Sequence, residues 1–354
     1  MIKIFIGAGG TGGHIYPALA TAEALAEKKP DWEVTLIGAR CALEAELYKK
    51  SGFKYSLITS RGILRKISFQ AFSAPFFMLK GFFEALSLLR REKPQVILSF
   101  GGFASAPLNI AGIFLRIPLI LHEQNAVLGA ANRFFALFCC QLLTSYPLTK
   151  YAPKNKTAFC GVPVRKNIET ACYTENKKQK TLLVMGGSQG ARTLNLFIKD
   201  NLSQLEKLNL EVIHLIGQRD FQSFSFSMEK YPFYQPYAYM DNIEKAMAKS
   251  DIIISRAGAS ALAEIFCLGK PSILIPFPYA AENHQLANAL FAEKKGAALV
   301  IEEKNLSWEN LLDSLKTIQK NWDIFAENAR QLYPRNSREK IISAIEKVLD
   351  YAKN

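Results

Sequence analysis

The sequence predicts an α/β protein built from two parallel-sheet domains. Three observations predict it. The chain has 354 residues, enough for about two domains of ordinary size. Apolar runs of strand length alternate with helical patterns along the whole chain, as in a sheet covered by helices on both faces. The second half also repeats the opening of the first, with a strand, a glycine-rich turn and a helix in the same order. Two similar domains facing each other across a cleft are therefore expected, and domain interfaces are favoured places for ligands. Apolar residues make up 49% and charged residues 21%, which excludes a disordered chain. The formal charge of +13 points to an anionic partner, whether nucleic acid, membrane surface or phosphorylated substrate.

The first strand, Ile2–Ile6, runs into Gly7-Ala8-Gly9-Gly10-Thr11-Gly12-Gly13-His14, where five of the first seven residues are glycine. Helix formers continue to Lys28. Glycine lets the backbone turn sharply and approach a ligand closely. The free N–H groups at the start of the helix favour a phosphate, or a sugar attached to one. His14 stands at the mouth of the turn. The positive helix end disfavours its protonation, so a neutral imidazole there can take a proton. Gly7, Gly9 and Gly12 satisfy the dinucleotide fingerprint, but the second strand, Glu33–Ile37, ends in Gly38-Ala39-Arg40 without the acid that would hold a ribose. No Gly-Lys-Ser/Thr is present, which excludes a P-loop.

Further strands are predicted at Tyr55–Ile58, Val96–Phe100, Leu119–His122 and Gln141–Thr144, with helices between them. Two of these ends carry polar or glycine-rich groups: Ser99 to Pro107, with Gly101 and Gly102, and His122-Glu123-Gln124-Asn125. Between Arg61 and Arg91 lie six basic residues and one acid, interleaved with phenylalanines. Phe69, Phe72, Phe76, Leu79 and Phe83 recur at helical spacing, with Pro75 expected to split the helix. Such a stripe packs on the sheet in most helices. Phe77 and Phe82 fall off the stripe, and bulky apolar residues all round with basic flanks fit a surface that dips into an anionic bilayer. Both readings stay open on this pattern.

A linker follows from Pro147 to Lys156, then a short strand and the turn Cys160 to Arg165. The domain boundary is expected near Val162, giving segments 1–162 and 163–335. A last amphipathic helix at about 336–354 is expected to pack back on a domain. The second half has strands at Thr181–Met185, Glu211–Ile216, near Tyr237, at Asp251–Ile254, Ser272–Ile275 and Ala297–Val300. Its glycine turn is Gly186-Gly187-Ser188-Gln189-Gly190. The six cysteines form no C-x-x-C pair, so neither a zinc site nor a disulfide framework is expected and a reducing cytoplasm is. The chain enters a strand at once, leaving no room for a signal peptide, and no run reaches the ~20 apolar residues of a spanning helix.

The most specific stretch runs from Asp251 to Asn288. A buried strand is followed by the small-residue turn Arg256-Ala257-Gly258-Ala259-Ser260 and a helix through Ala261, Leu262, Ala263 and Glu264. Backbone N–H groups of Gly258 to Ser260 can meet a diphosphate, and Glu264 can accept hydrogen bonds from both hydroxyls of a ribose. Dipole compensation by an acid near a helix start is the plainer alternative. His284, Gln285 and Asn288 share a helix face and carry groups suited to sugar hydroxyls.

These motifs, in this order and across nearly the whole chain, resemble the MurG family of bacterial cell-wall N-acetylglucosamine transferases. The resemblance implies two facing Rossmann-like domains of the GT-B glycosyltransferase architecture. It implies inverting transfer of N-acetylglucosamine from UDP-N-acetylglucosamine to the C4 hydroxyl of undecaprenyl-diphosphate-linked muramyl-pentapeptide. It further implies an enzyme peripheral to the cytoplasmic face of the cell membrane, with the C-terminal helix on the N-terminal acceptor domain.

Carried onto this chain, Thr11, Gly12 and Gly13 lie near both substrates, and Asn125, Arg165 and Ser188 contact the donor. Met240 stands at the uracil pocket. Ala259, Ser260, Ala261, Leu262, Ala263 and Glu264 hold the uridine diphosphate, with Glu264 on the ribose. Gln285 reads the donor sugar with Asn288 close by. Gly101, Gly102, His122 and Glu123 are placed on the acceptor side, and His14 is the favoured base. Phe72, Phe76, Phe77, Lys80 and Phe83 form the membrane patch, and no nucleic-acid partner is implied. Val162 and Phe103 depart from the asparagine and tyrosine often found there, on the acceptor side and away from the uridine site. No Asp-x-Asp is positioned to hold a metal, so chemistry without metal or cofactor is expected, with helix N-termini and Arg165 stabilising the leaving diphosphate. The alternatives are another GT-B enzyme on a UDP-sugar, such as a glycolipid transferase or an epimerase, and a non-catalytic membrane-bound sugar-nucleotide sensor.

Overall fold

The computed structural model describes the chain except for residues 61–68, 104, 172–179, 188–189, 225–229 and 352–354, and gives 69–75 as backbone only. Arg61, Arg65, Lys66, Cys172 and the expected donor contact Ser188 thus lie outside the described residues, as do the side chains of Phe69 and Phe72. The chain divides into two compact units, Met1–Arg165 with Pro334–Asn354, and Lys166–Tyr333.

Unit 1 holds a seven-stranded sheet in the order β3-β2-β1-β4-β5-β6-β7. Its strands are β1 (Ile2–Gly7), β2 (Trp32–Ala39), β3 (Lys54–Ile58), β4 (Val96–Ser99), β5 (Leu119–Glu123), β6 (Gln141–Thr144) and β7 (Thr157–Phe159). All pairs are parallel. The apolar runs are buried on both faces, as a parallel sheet under helices demands. One face packs Ile4, Ile6 and Leu98 against Ile15 and Leu25 of helix α1 (Gly12–Lys28) and against Ile341, Ile345 and Leu349 of the C-terminal helix Ser337–Tyr351. The other packs Phe5, Ile37 and Ile97 under Ala85, Leu86 and Leu89.

The strand order reverses between β1 and β4. Loops leaving two such neighbours at a switch point diverge and open a crevice at their carboxyl ends. The turn Gly7–Gly12 and the turn after Ser99 are the two loops that leave this point.

Helix α3 runs without a break over Phe69–Glu92, through Pro75. The expected split does not occur, because a proline removes one backbone hydrogen bond while the helix keeps its others and its buried face. The described part of the aromatic stripe also does not pack on the sheet. Phe76 is 67% and Phe83 57% exposed, with Leu79 and Lys80 exposed beside them, while Ala85, Leu86, Leu88 and Leu89 face inward.

Unit 2 holds a six-stranded parallel sheet in the order β10-β9-β8-β11-β12-β13. The strands are β8 (Lys180–Met185), β9 (Leu210–Leu215), β10 (Tyr234–Tyr237), β11 (Ile252–Ser255), β12 (Ser272–Leu274) and β13 (Ala298–Val300). The order reverses between β8 and β11, so the turns after Met185 and Ser255 hold the positions that Gly7–Gly12 and Ser99–Gly102 hold in unit 1. Among the described residues no helix is long and apolar enough to cross a membrane.

Candidate functional site

In unit 1 the glycine turn is held from behind by helix α2 (Ala42–Ser51). Glu44 Oε1 accepts from the Gly10 amide at 2.7 Å, and the Tyr48 hydroxyl donates to the Ala8 carbonyl at 2.7 Å. Glu44 and Tyr48 lie four apart on one helix face, a spacing readable in the sequence but not singled out there. Gly10 has φ +89°, open to glycine and costly for other residues. A Cβ on Gly10 would lie 2.8 Å from the Phe103 ring, so the aromatic ring of the second turn covers the first. Gly102 has φ +81°, and a Cβ there would meet the Gly9 carbonyl oxygen at 2.2 Å and His14 Cδ2 at 3.2 Å. Thr11 and Gly13 are exposed and Gly12 is buried.

His14 is the third residue of α1 and is half-buried. Its Nδ1 lies 2.9 Å from Gln124 Oε1. Gln124 Nε2 donates to the Phe100 carbonyl at 2.9 Å and lies 3.1 Å from His122 Nδ1. His122 Nε2 reaches the Gly161 carbonyl at 2.9 Å. His122 is fully buried against the Phe100 ring, with centroids 4.8 Å apart. Burial pushes its pKa down to about 4, so the ring is neutral at physiological pH. Gln124, one member of the polar run His122 to Asn125, is the residue that touches both histidines.

Two expected acceptor-side residues are buried. His122 points inward to Gly161 and Gln124 and offers no surface. Glu123 is also buried, and its carboxylate accepts from the Asn125 amide and side chain, the Gly129 amide and Asn132 Nδ2, all within 3.0 Å. A carboxylate so engaged shapes the loop and meets a substrate only through residues it positions. Asn125 is thereby fixed and remains half-exposed. The Arg165 guanidinium lies over the Tyr16 ring at 4.7 Å and belongs to unit 1.

In unit 2, Gly258 caps the helix Ala259–Cys267. Ala259, Leu262 and Ala263 are buried, whereas Ser260, Ala261 and Glu264 are half-exposed. The turn before the helix is locked by Arg256, whose Nη1 donates to the Ile275 and Pro276 carbonyls at 3.1 and 3.4 Å and whose Nη2 pairs with Glu303. Arg256 thus ties the end of β11 to the end of β12. Gln285 is half-exposed, and its Oε1 accepts from the Phe277 amide at 3.0 Å, which leaves its NH₂ as the group suited to donate to a ligand. Asn288, expected close to a sugar, is fully buried and donates to the Ala257 carbonyl at 3.1 Å. It therefore supports the turn from below. Met240 is half-exposed beyond β10. Among the described residues no group of three or more His, Cys, Asp or Glu could hold a metal.

Fold and site define a class: two doubly wound α/β units with glycine-lined or small-residue turns at their switch points, the arrangement in which such sheets bind phosphate-bearing ligands. Comparison narrows it. The family model Glycosyltransferase family 28 N-terminal domain matches residues 4–144, and Glycosyltransferase family 28 C-terminal domain matches residues 181–347. A protein of Desulforamulus reducens is 34% identical over 98% of this chain and 99% of its own length. One of Halothermothrix orenii is 36% identical over 98% of each. Both are named UDP-N-acetylglucosamine--N-acetylmuramyl-(pentapeptide) pyrophosphoryl-undecaprenol N-acetylglucosamine transferase. The crystal structure of Acinetobacter baumannii MurG superposes with a TM-score of 0.76 at 28% identity, covering 98% of this chain and 100% of that one. The chain therefore belongs to glycosyltransferase family 28 and, within it, to the MurG group.

Proposed function

We propose that this chain transfers N-acetylglucosamine from UDP-N-acetylglucosamine to the C4 hydroxyl of a muramyl-pentapeptide carried on undecaprenyl diphosphate, with inversion at C1. One observation carries the reading: relatives bearing that name match 98% of the chain at 34–36% identity. The local chemistry supports it. Glu264, half-exposed near the start of its helix, suits a ribose. The N–H groups of Ala259 and Ser260 suit a diphosphate, and the Gln285 NH₂ suits the donor sugar. Met240 belongs to the same donor set, and the resemblance assigns Ser188, Arg165 and Asn125 to the donor as well.

His14 is the general base. An imidazole that donates from Nδ1 carries its lone pair on Nε2, and it takes the C4-hydroxyl proton as the oxygen attacks C1. The bond from C1 to the diphosphate breaks, and UDP leaves with that electron pair. Helix N-termini and Arg165 stabilise the charge. Gly101 and Gly102 line the acceptor side, and Thr11, Gly12 and Gly13 lie near both substrates. The stripe Phe76, Leu79 and Phe83, with Lys80 and the half-buried Phe77, rests on the anionic membrane face that carries the lipid acceptor.

The test is incubation with UDP-N-acetylglucosamine and a lipid-linked muramyl-peptide analogue. A disaccharide product with release of UDP is expected, and His14→Ala is expected to lower turnover by about 10²- to 10⁴-fold, the usual contribution of a general base. Conversion of the donor without acceptor would identify an epimerase, and binding without turnover a sensor.

A further inference from the structure

The contacts around His14 determine more than its position. Gln124 Nε2 lies 2.9 Å from the Phe100 carbonyl, which can only accept. The amide nitrogen must therefore be on that side and the amide oxygen toward His14, since the flipped amide would set two acceptors against each other. The second constraint is independent. His122 Nε2 lies 2.9 Å from the Gly161 carbonyl and must carry its hydrogen. The neutral ring then leaves Nδ1 bare, and at 3.1 Å it shares the second hydrogen of the Gln124 amide with the His122 carbonyl at 3.2 Å. Both constraints give the same amide orientation. Gln124 Oε1 is then an acceptor 2.9 Å from His14 Nδ1, and His14 must donate from that atom.

We propose that Gln124, oriented by His122 and the Phe100 carbonyl, is a positioning residue that holds His14 in the Nδ1–H tautomer and so places its proton-accepting lone pair on Nε2. The proposal rests on the reading of His14 as the base for its catalytic meaning, but the tautomer itself does not. Both relay side chains are buried, Gln124 at 2% and His122 at 0% exposure, so water does not substitute for either. The Gly161 carbonyl that ends the chain of bonds belongs to a residue at φ +87°, and a Cβ there would meet Pro334 Cγ at 2.2 Å, which fixes the terminal acceptor in place.

The experiment is nitrogen-15 NMR of the imidazoles in the full-length protein without substrates, read beside steady-state kinetics. In the unsubstituted protein the neutral His14 ring is expected with its hydrogen on Nδ1. In Gln124→Leu it is expected to redistribute toward Nε2–H, with kcat falling about 10²-fold and KM for the UDP-sugar unchanged, since a general base contributes about 10²- to 10⁴-fold. An Nε2–H ring in the unsubstituted protein overturns the proposal without any variant, as does an unchanged tautomer in Gln124→Leu. An Nδ1–H ring combined with full turnover in His14→Ala would leave the relay standing and remove His14 from the chemistry.

Discussion

Gly102 lies so close to Gly9 that a single added methyl group would sit 2.2 Å from the Gly9 carbonyl oxygen. The two glycine turns of unit 1 touch at this point, and His14 Cδ2 borders it at 3.2 Å from the same Cβ position. Gly102→Ala is expected to push the turns apart and to strain a backbone at positive φ, at a cost of ~1–3 kcal/mol. Displacement of the wall beside His14 is expected to lower kcat about tenfold or more. The measurement is turnover at saturating donor, with circular dichroism to show that the sheet persists. Normal kcat in a folded Gly102→Ala protein would separate this contact from the reaction.

Arg256 makes a second specific prediction. The Arg256 side chain is 8% and the Glu303 side chain 17% exposed, so removing one leaves the other charged and poorly solvated. Arg256→Met is expected to destabilise the protein by about 3–5 kcal/mol. The turn that carries Gly258 and Ala259 then loosens, so KM for the UDP-sugar is expected to rise more than kcat falls. Arg256→Met with Glu303→Leu is expected to recover stability but not donor affinity, because the ties to the Ile275 and Pro276 carbonyls are still missing. Thermal unfolding together with donor titration checks both halves.

The outward stripe of α3 predicts membrane behaviour. Burying one phenylalanine contributes roughly 1.5–3 kcal/mol. Phe76→Ser with Phe83→Ser is therefore expected to weaken binding to anionic vesicles at least about tenfold while leaving the fold intact, since neither ring is in the core. Lys80→Ala is expected to lower the salt-sensitive part only. Vesicle cosedimentation at two salt concentrations separates the two contributions, and unchanged binding in the double serine variant would reject the membrane reading of this stripe.

Stability should also depend on pH through the buried histidines. Burial holds His122 down to about 4 and His214 down to about 3, against an ordinary value near 6.5. The unfolded chain takes up these protons as pH falls through 6.5, before the folded chain does. Their contribution is thus present above pH 6.5 and is lost as pH falls toward 4 and 3. For His122 this is on the order of 3 kcal/mol. Urea midpoints measured between pH 7.5 and 4 should decline, and His122→Gln should decline less steeply. An equal slope in that variant would show that His122 takes its proton equally in both states.

Most of the strands were legible because a buried parallel strand is a short apolar run bounded by turn residues, and the runs beginning near Ile2, Glu33, Leu119 and Thr181 are such. Their ends moved by a residue or two. The turns were legible as well, since Gly10 and Gly102 hold conformations that favour glycine. The course of α3 was not. Pro75 is a local signal for a break, and the interaction that overrides it is the burial of Ala85, Leu86 and Leu89 a few turns further on. The direction of the phenylalanine stripe was equally hidden, because both sides of α3 are apolar and periodicity does not say which side meets the sheet.

What the sequence by itself determined was the kind of element at each place, the two glycine turns at strand ends, and the residue types available for handling a sugar diphosphate. Those depend on neighbours within a few positions. Only the tertiary structure decided which polar side chains face inward: His122, Glu123 and Asn288 turn into their own units, and Gln124 emerges as the partner of His14. His14 and Gln124 are 110 residues apart, and their bond exists only because the parallel strands β1 and β5 leave the same end of one sheet. Side-chain direction, and with it the position of a proton on an imidazole ring, is set by such distant partners and not by local spacing.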